Sequence, residues 1–226
     1  RQMCIRDRVK IADLDGNGFI DPGNFAVDDH GDLRIIGNQS PRYRYGVNLS
    51  ARWNGIGLSV FLQGVGARDW YPGSDAGMFW GKYGRPFFAL IPSIHNYTDD
   101  MYSAERNNWD TAYWPRMTTY QSNGTKNWTR LLEIPNTRYI QSAAYLRVKN
   151  IQLDYSFPKH ICSAIRLQGL KIYVNAENLF TFTPLHKYAP NFDPEGLSYD
   201  SDFASAADGY TYPILKSVTV GVNITF

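Results

Sequence analysis

The chain has 226 residues and a formal net charge of +2, and its composition is 43% hydrophobic, 19% charged and 15% aromatic. So small a net charge gives no electrostatic reason to expect a nucleic-acid partner. No stretch approaches the roughly 18 consecutive apolar residues of a membrane-spanning helix, which excludes a helical membrane protein but not a barrel, whose strands alternate lipid-facing and lumen-facing residues.

The first residues stand apart from the rest of the chain. Residues 1–8 (RQMCIRDR) join no pattern that follows, and we interpret them as a non-native scar. Because the later strands are typical of an exported protein and no signal peptide precedes them, we expect an upstream part to be missing. The two cysteines, Cys4 and Cys162, are too few for a disulfide framework and are expected to be unrelated thiols.

Residues 13–21 (DLDGNGFID) place oxygen ligands at alternate positions, as in an EF-hand calcium loop, with Gly18 at the sharp turn. The matching ligand positions are Asp13, Asp15, Asn17, Phe19 and Asp21. Asn24 replaces the usual bidentate Glu, so an intact EF-hand is not predicted, and Asp28 or Asp29 would have to supply further oxygens. The alternative is a turn rich in Asp, Asn and Gly that binds no metal.

Residues 42–53 alternate apolar and polar side chains, which predicts a two-faced β-strand. Asn54 and Gly55 follow as a tight-turn dipeptide, and the alternation restarts over 56–62, so we predict a hairpin. The same pattern predicts strands over 144–157, 170–182 and 214–226. In the first of these the apolar positions change parity near Asn150, which indicates a bulge.

The connections between these strands alternate between long and short. Segments 13–41, 69–143 and 183–213 are long, whereas the links at 53–55 and 158–169 are short. Outer-membrane barrels have short periplasmic turns and long external loops, so this order predicts an up-and-down antiparallel meander with its C-terminus on the periplasmic side. These strands do not close a barrel by themselves, because the smallest single-chain barrels have about eight.

The loop 69–143 holds five of the six Trp residues together with many Tyr residues. Such rings pack against one another, dock a partner protein or stack on sugar faces. The candidates for substrate or partner contact are Trp80, Arg85, Arg106, Trp109, Trp114 and Arg116. In the loop 183–213, Asp193 and Glu195 flank a proline, which predicts a turn rather than the acid pair of a glycosidase.

Seven segments, taken in order, resemble the C-terminal regions of the SusC/RagA class of TonB-dependent transporters. They are residues 13–21 (DLDGNGFID), 36–46 (IGNQSPRYRYG), 61–66 (FLQGVG), 145–151 (YLRVKNI), 175–183 (NAENLFTFT), 193–195 (DPE) and 220–226 (VGVNITF). The likeness covers residues 9–226, although 69–141 matches only in being long and aromatic. We expect 9–226 to form strands and loops of one barrel.

The resemblance implies an all-β fold, namely the C-terminal portion of a large transmembrane antiparallel barrel of about 22 strands, with a plug and TonB box further upstream. It implies import of oligosaccharides (glycans) or peptides across the bacterial outer membrane. The implied partners are a SusD-like surface lipoprotein that closes over the barrel, the TonB–ExbB–ExbD complex that pulls on the plug, and outer-membrane lipid. Phe226 resembles the terminal aromatic signal that the outer-membrane insertion machinery recognises.

Two other classes of function are set against this one. A soluble β module that binds carbohydrate with calcium explains the aromatic residues and 13–21, but not the long two-faced strands. A glycoside hydrolase needs two placed carboxylates, and no motif places them; the histidines at 30, 95, 160 and 186 lack metal-ligand spacing. We therefore predict a transporter subunit without catalytic residues.

Overall fold

The computed structural model describes residues 12–72, 103, 105–108, 111–114, 135–190, 192–197 and 214–226. The elements in this part of the chain are β1 (Arg42–Trp53), β2 (Ile56–Ala67), β3 (Asp69–Trp70), β4 (Gln141–Ser142), β5 (Tyr145–Ser156), α1 (Lys159–Ala164), β6 (Gly169–Phe182), a 3-10 turn (Pro184–Lys187) and β7 (Ser217–Thr225). Residues 1–8 lie outside the described part, so their interpretation as a scar stays a prediction.

Five strands form one antiparallel sheet in the order β1-β2-β5-β6-β7, and β3 and β4 form a separate two-stranded sheet. This order confirms the predicted up-and-down meander. Consecutive strands of the larger sheet run in opposite directions, so the hairpin turn and the β5–β6 link leave from one end of the sheet. The long connections leave from the other end.

Two strand boundaries differ from the sequence prediction by three or more residues, and the others agree to within one residue. β2 continues to Ala67, beyond the predicted end at residue 62, because its backbone keeps pairing with β1 and β5 after Gly64 interrupts the apolar alternation. β7 begins at Ser217 rather than at residue 214. Its last partner on β6 is Glu177, and the next residue, Asn178, leaves the extended conformation at φ 54°.

The predicted hairpin and bulge are both present. Asn54 (φ 49°) and Gly55 (φ 88°) both have positive φ, as the two central residues of a type I′ turn require. The register between β5 and β6 shifts between Val148 and Asn150. The shift brings the apolar residues on both sides of it onto one face of the sheet, which confirms the change of parity seen in the sequence.

The helix α1 lies in the link between β5 and β6, which the sequence predicts only to be short. Six residues are too few for an apolar period to be recognised in a sequence. Pro158 precedes the helix with extended backbone, and Cys162 is its buried residue, with a free thiol. No helix in the described residues is long and apolar enough to span a membrane.

The chain divides into two compact units. One comprises Pro41–Arg68, Ser142–Pro184 and Tyr212–Phe226 and contains the five-stranded sheet. The other comprises Arg1–Ser40, Asp69–Gln141 and Leu185–Thr211. It contains residues 13–32, which we call the acidic loop, and the buried aromatic residues of the long loops.

Candidate functional site

One face of the five-stranded sheet is apolar on every strand, and we call it the apolar face. Register partners place one row across it: Ala51, Leu58, Leu153, Val174 and Val220. The next row holds Leu49, Val60, Ile151, Ala176 and Val218. Val220 is 72% exposed, and each of the other four strands also exposes large apolar side chains on this face. An exposed apolar surface of this extent marks contact with lipid or with a partner.

Aromatic residues flank these aliphatic rows. Toward the long connections they are Tyr43, Tyr45, Phe180 and Phe182, and toward the short ones Trp53, Tyr155, Phe157 and Phe226. Tyr45 and Trp53 are about 27 Å apart along β1. With a strand tilt of about 40°, this corresponds to about 20 Å along the barrel axis, which is close to the ~25 Å height of the apolar band of membrane barrels. The apolar face therefore has the layout of a barrel's lipid-facing surface, in which two aromatic girdles border an aliphatic band.

The opposite face of the sheet, which we call the polar face, carries hydrogen-bonding and charged side chains. One of its rows is uncharged throughout: Ser50, Ser59, Gln152, Asn175 and Thr219. The next row toward the short connections holds Arg52, Gly57, Asp154, Tyr173 and Gly221. Such alternation between the two faces is what a strand between lipid and a polar barrel interior requires.

Asp154 is the centre of an ion-pair group on the polar face. Its carboxylate lies 3.4 Å from Arg52 Nη2 and 3.2 Å from Lys171 Nζ, and its side chain is only 6% exposed. Gly57 leaves room for it, because a Cβ there would collide with the carboxylate. Sequence reasoning missed this group, since Arg52 and Asp154 are 102 positions apart and no local spacing connects them.

The Tyr173 ring covers Gly221, its register partner on β7, and a Cβ at Gly221 would overlap that ring. Gly221→Ala is therefore expected to lower the free energy of unfolding of the full-length protein by about 1 to 3 kcal/mol, the usual cost of overpacking. Gly169→Ala is the matched control on β6, because a Cβ there meets Thr225 at an ordinary 3.6 Å. The midpoint of urea unfolding in detergent measures both variants.

Adding Tyr173→Ala to Gly221→Ala should restore much of the loss, because it removes the ring that the new methyl group meets. Equal midpoints for the two single glycine variants would show that the ring does not constrain Gly221.

The acidic loop brings three carboxylates together. Ligand oxygens of Asp13, Asp15 and Asp32 all lie within 4.8 Å of one another, and among the described residues this is the one group of His, Cys, Asp or Glu side chains that could share a metal ion. Asn17 Nδ2 donates to Asp15 at 2.9 Å and to Asp21 at 3.4 Å. Hard cations such as calcium prefer such oxygen ligands.

Asp32 is a residue that sequence reasoning missed, because it lies far beyond position 12 of a calcium loop. Its carboxylate accepts the backbone N–H of Asp21 at 3.0 Å and that of Leu14, which ties the start of the loop to its end. Asp29, which the sequence offered as an alternative ligand, instead accepts a hydrogen bond from the Asn24 amide.

The charge state of Asp13 suits a cation. Backbone N–H groups donate to its two oxygens, from Gly18 at 2.9 Å and from Gly16 at 2.6 Å. The bond from Gly18 is the main reason that the pKa of Asp13 lies below its usual range. The carboxylate is therefore ionised at neutral pH.

Buried rings in the long loops form what we call the aromatic core. Tyr113 stacks on Tyr188 with centroids 3.7 Å apart, and Trp114 meets Tyr113 edge-on at 4.9 Å. Gln141 Nε2 donates to the Tyr113 hydroxyl at 2.6 Å, and Arg138 Nε donates to the Tyr113 carbonyl at 3.2 Å. These contacts join residues from three separate stretches of the chain.

The buried phenols of Tyr71, Tyr113 and Tyr139 are neutral at physiological pH. Burial raises the pKa of Tyr139 to about 12, and it raises the pKa values of Tyr71 and Tyr113 above their usual range. The Tyr71 and Tyr113 hydroxyls accept hydrogen bonds from the Asn136 and Gln141 side-chain amides, and none of the three phenols is poised to act as a base.

The structure describes only some of the residues predicted to contact a substrate or partner. Trp114 is 1% exposed, which fits the packing interpretation for this ring rather than direct contact with a substrate or partner. Trp80, Arg85, Trp109 and Arg116 lie outside the described residues, so their contact role stays a prediction.

Asp193 and Glu195 form the predicted turn. The N–H of Glu195 donates to Asp193 Oδ1 at 2.9 Å, and the N–H of Gly196 donates to the Asp193 carbonyl at 3.1 Å. The spacing of these two acids is thus explained by local backbone geometry.

Known proteins of similar sequence are receptors. TonB-dependent receptor P3 of Formosa agariphila is 27% identical over 222 residues, which is 96% of this chain and 19% of that protein. TonB-dependent receptor P39 of the same organism is 24% identical over 226 residues, which is 97% of this chain and 20% of that protein. No protein-family model matches the chain. Over nearly its whole length the chain is therefore similar to TonB-dependent receptors.

Solved structures agree on the fold of the chain. The RagAB peptide importer in its open-open state superposes with a TM-score of 0.53 at 20% identity, over 85% of this chain and 18% of that one. The closed-closed state gives the same TM-score at 19% identity. The chain spans about a fifth of the length of the curated relatives it matches. Its open sheet therefore has the fold of part of a large β-barrel.

This β-barrel segment resides in the outer membrane. Its apolar face is the lipid-facing surface of the barrel, and its polar face is turned to the lumen. The short connections and Phe226 lie at the end that is periplasmic in this class of barrel.

Deleting Phe226 is expected to lower the amount of full-length receptor in the outer membrane while synthesis continues. Phe226 follows β7, keeps the parity of its apolar face and is 81% exposed, so it is available to the insertion machinery. Phe226→Tyr keeps an aromatic terminus and is the control. Immunoblots of membrane fractions measure the effect, and equal insertion of all three forms would leave Phe226 as an ordinary lipid-facing residue.

Proposed function

We propose that the chain supplies the C-terminal strands of a SusC-like barrel that imports nutrients across the outer membrane with energy from TonB. The observation that carries this proposal is the two-faced sheet, with girdles on its lipid side and the Asp154 ion pairs on its lumen side, in a chain matched over nearly its whole length by TonB-dependent receptors. In this proposal residues 9–226 are strands and loops of the barrel, and residues 1–8 are not native.

The cargo is an oligosaccharide or a peptide. A peptide is the cargo named for the RagAB importer, and the aromatic residues of the loop 69–143 also suit sugar faces. The proposed partners are a SusD-like surface lipoprotein at the external loops and the TonB–ExbB–ExbD complex on the periplasmic side. The chain acts in transport and catalyses no reaction.

Uptake by cells tests the proposal. The full-length gene is deleted in its host and restored either intact or without its TonB box, and uptake of labelled oligosaccharides and peptides is measured for each strain. Uptake of at least one cargo should require both the gene and the TonB box. Uptake that persists without the TonB box would instead indicate passive, porin-like entry.

The soluble carbohydrate-binding module is not favoured. Such a module buries the apolar sides of its strands between two sheets, whereas this sheet exposes apolar side chains on all five strands. The relatives matched over 96% of the chain are receptors rather than soluble modules.

Calcium is part of this proposal as a ligand of the acidic loop, held by Asp13, Asp15, Asn17, Asp21 and the carbonyl of Phe19, together with Asp32. Millimolar calcium is expected to slow hydrogen exchange of the backbone amides of Gly16 and Gly18 in the purified receptor. Asp32→Asn should raise the calcium concentration that gives half-maximal protection about tenfold, because it removes one charge from the ligand set. Asp28→Asn, outside the carboxylate group, is the control. Exchange that calcium does not change would leave a metal-free turn.

A further inference from the structure

The link between β5 and β6, residues 157–168, is held firmly at the periplasmic end of the sheet, and we call it the α1 link. The N–H of Phe157 donates to the Leu170 carbonyl at 2.9 Å, and the N–H of Gln168 donates to the Thr225 carbonyl at 2.8 Å. Within the link, the N–H of Leu167 donates to the Cys162 carbonyl at 2.9 Å. These bonds give α1 a fixed position beside the ends of β5, β6 and β7.

The α1 link exposes apolar side chains on one side. Ile161 is 39% exposed and Ile165 is 53% exposed. Ile161 lies in α1 and Ile165 is the residue that caps its C-terminal end, one helical turn later. Residues four positions apart lie on the same side of a helix, so the two side chains start from the same side of α1. Ser163 is also exposed, but it is two positions from each Ile and so points to another side.

The charge of the α1 link has one sign. It contains Lys159 and Arg166 and no Asp or Glu. Both basic residues are exposed; Lys159 is the first residue of α1, and Arg166 lies two residues beyond its end. Two exposed Ile side chains with basic residues beside them match the composition of a segment that lies in the interface of an anionic lipid surface.

The α1 link also continues the periplasmic girdle. It begins at Phe157, whose ring packs on the girdle residue Tyr155 with centroids 5.0 Å apart. The girdle marks the level of the lipid headgroups, because aromatic residues concentrate at that level in membrane barrels. The exposed Ile side chains therefore start within a few residues of the headgroup region.

We propose that the α1 link binds the periplasmic leaflet of the outer membrane, with Ile161 and Ile165 in the acyl boundary and Lys159 and Arg166 on anionic phospholipid headgroups. The contact fixes the height of β5 and β6 in the bilayer. It depends on the outer-membrane location of the receptor and not on which cargo the receptor imports.

Lipid quenching of a fluorophore tests this contact in the full-length receptor. Ile165→Cys and, as matched control, Ser163→Cys are each labelled with a polarity-sensitive dye in a variant that lacks other cysteines. The receptor is placed in nanodiscs of phosphatidylethanolamine with phosphatidylglycerol, with nitroxide-labelled lipid as quencher. The label at 165 should be quenched at least about twofold more than the label at 163, because the boundary lies about 5 to 10 Å into the leaflet.

Lys159→Gln with Arg166→Gln tests the charged part of the contact. In these discs the double variant should bring quenching at 165 toward that at 163, whereas in purely phosphatidylcholine discs it should change little. Equal quenching of the two labels would overturn the proposal. So would a label at 165 that is shielded from both lipid nitroxide and aqueous iodide, since another part of the protein would then cover the surface.

Discussion

Val220→Arg is expected to lower the free energy of unfolding of the receptor by about 2 to 4 kcal/mol, the cost of a cation near the middle of the lipid-facing band of a barrel. Val220 lies in the aliphatic row with Ala51, Leu58, Leu153 and Val174, between the two girdles. Its side chain is 72% exposed in the sheet, so the arginine would enter lipid and not a protein interior.

Thr219→Arg is the matched control on the other face of the same strand. Thr219 lies in the uncharged polar row beside Asn175, where the lumen offers water and hydrogen-bonding groups to a guanidinium. Reversible unfolding of the full-length receptor in lipid vesicles measures both variants, with Val220→Ala as a reference for the loss of the valine itself. Similar costs for the two arginine variants would mean that β7 does not separate lipid from lumen.

The sheet was predictable from the sequence because each strand carries its own period-two signal. Asn54 and Gly55 are the residue types that a two-residue type I′ turn demands, so the hairpin register followed from the turn. The change of parity near Asn150 was visible because it moved the apolar residues from even to odd positions. In each case the determining interaction is local in sequence.

The polar groups were not predictable, because their partners come from distant positions in the chain. Asp154 meets Arg52 across β2 and Lys171 on β6, and neither pairing has a local spacing that marks it. Asp32 closes the acidic loop from a position that no calcium-loop pattern reserves for a ligand. Strand register decides the Asp154 contacts, and a one-residue slip of β1 or β6 would abolish them.

The aromatic core was also only partly predictable from the sequence. The number of rings in the loop 69–143 predicted that some would pack together, but it did not indicate which. Tyr188, from the segment after β6, stacks on Tyr113 and completes the core. Trp114 is therefore a packing residue in this structure, whereas the contact role of Trp109 stays a prediction.

Trp114→Ala is expected to destabilise the aromatic core by about 3 to 5 kcal/mol, the usual cost of truncating a buried tryptophan. The Trp114 ring is 1% exposed and contacts Tyr113, Tyr139 and Tyr188. Hydrogen exchange of the Tyr139 and Ile140 amides should therefore accelerate. The amides of Leu153 and Val174 should keep their protection, because they belong to the five-stranded sheet.

Trp109→Ala is the comparison that separates packing from docking. If Trp109 contacts the surface lipoprotein, its loss should lower co-purification of that lipoprotein and TonB-dependent uptake while exchange at Tyr139 stays unchanged. Trp114→Phe keeps a ring in the aromatic core and should restore most of its stability. If the lipoprotein no longer co-purifies with Trp114→Ala but still does so with Trp109→Ala, docking requires the folded aromatic core and not the Trp109 side chain. Loss in neither variant would mean that the loop 69–143 does not form the docking surface through these two rings.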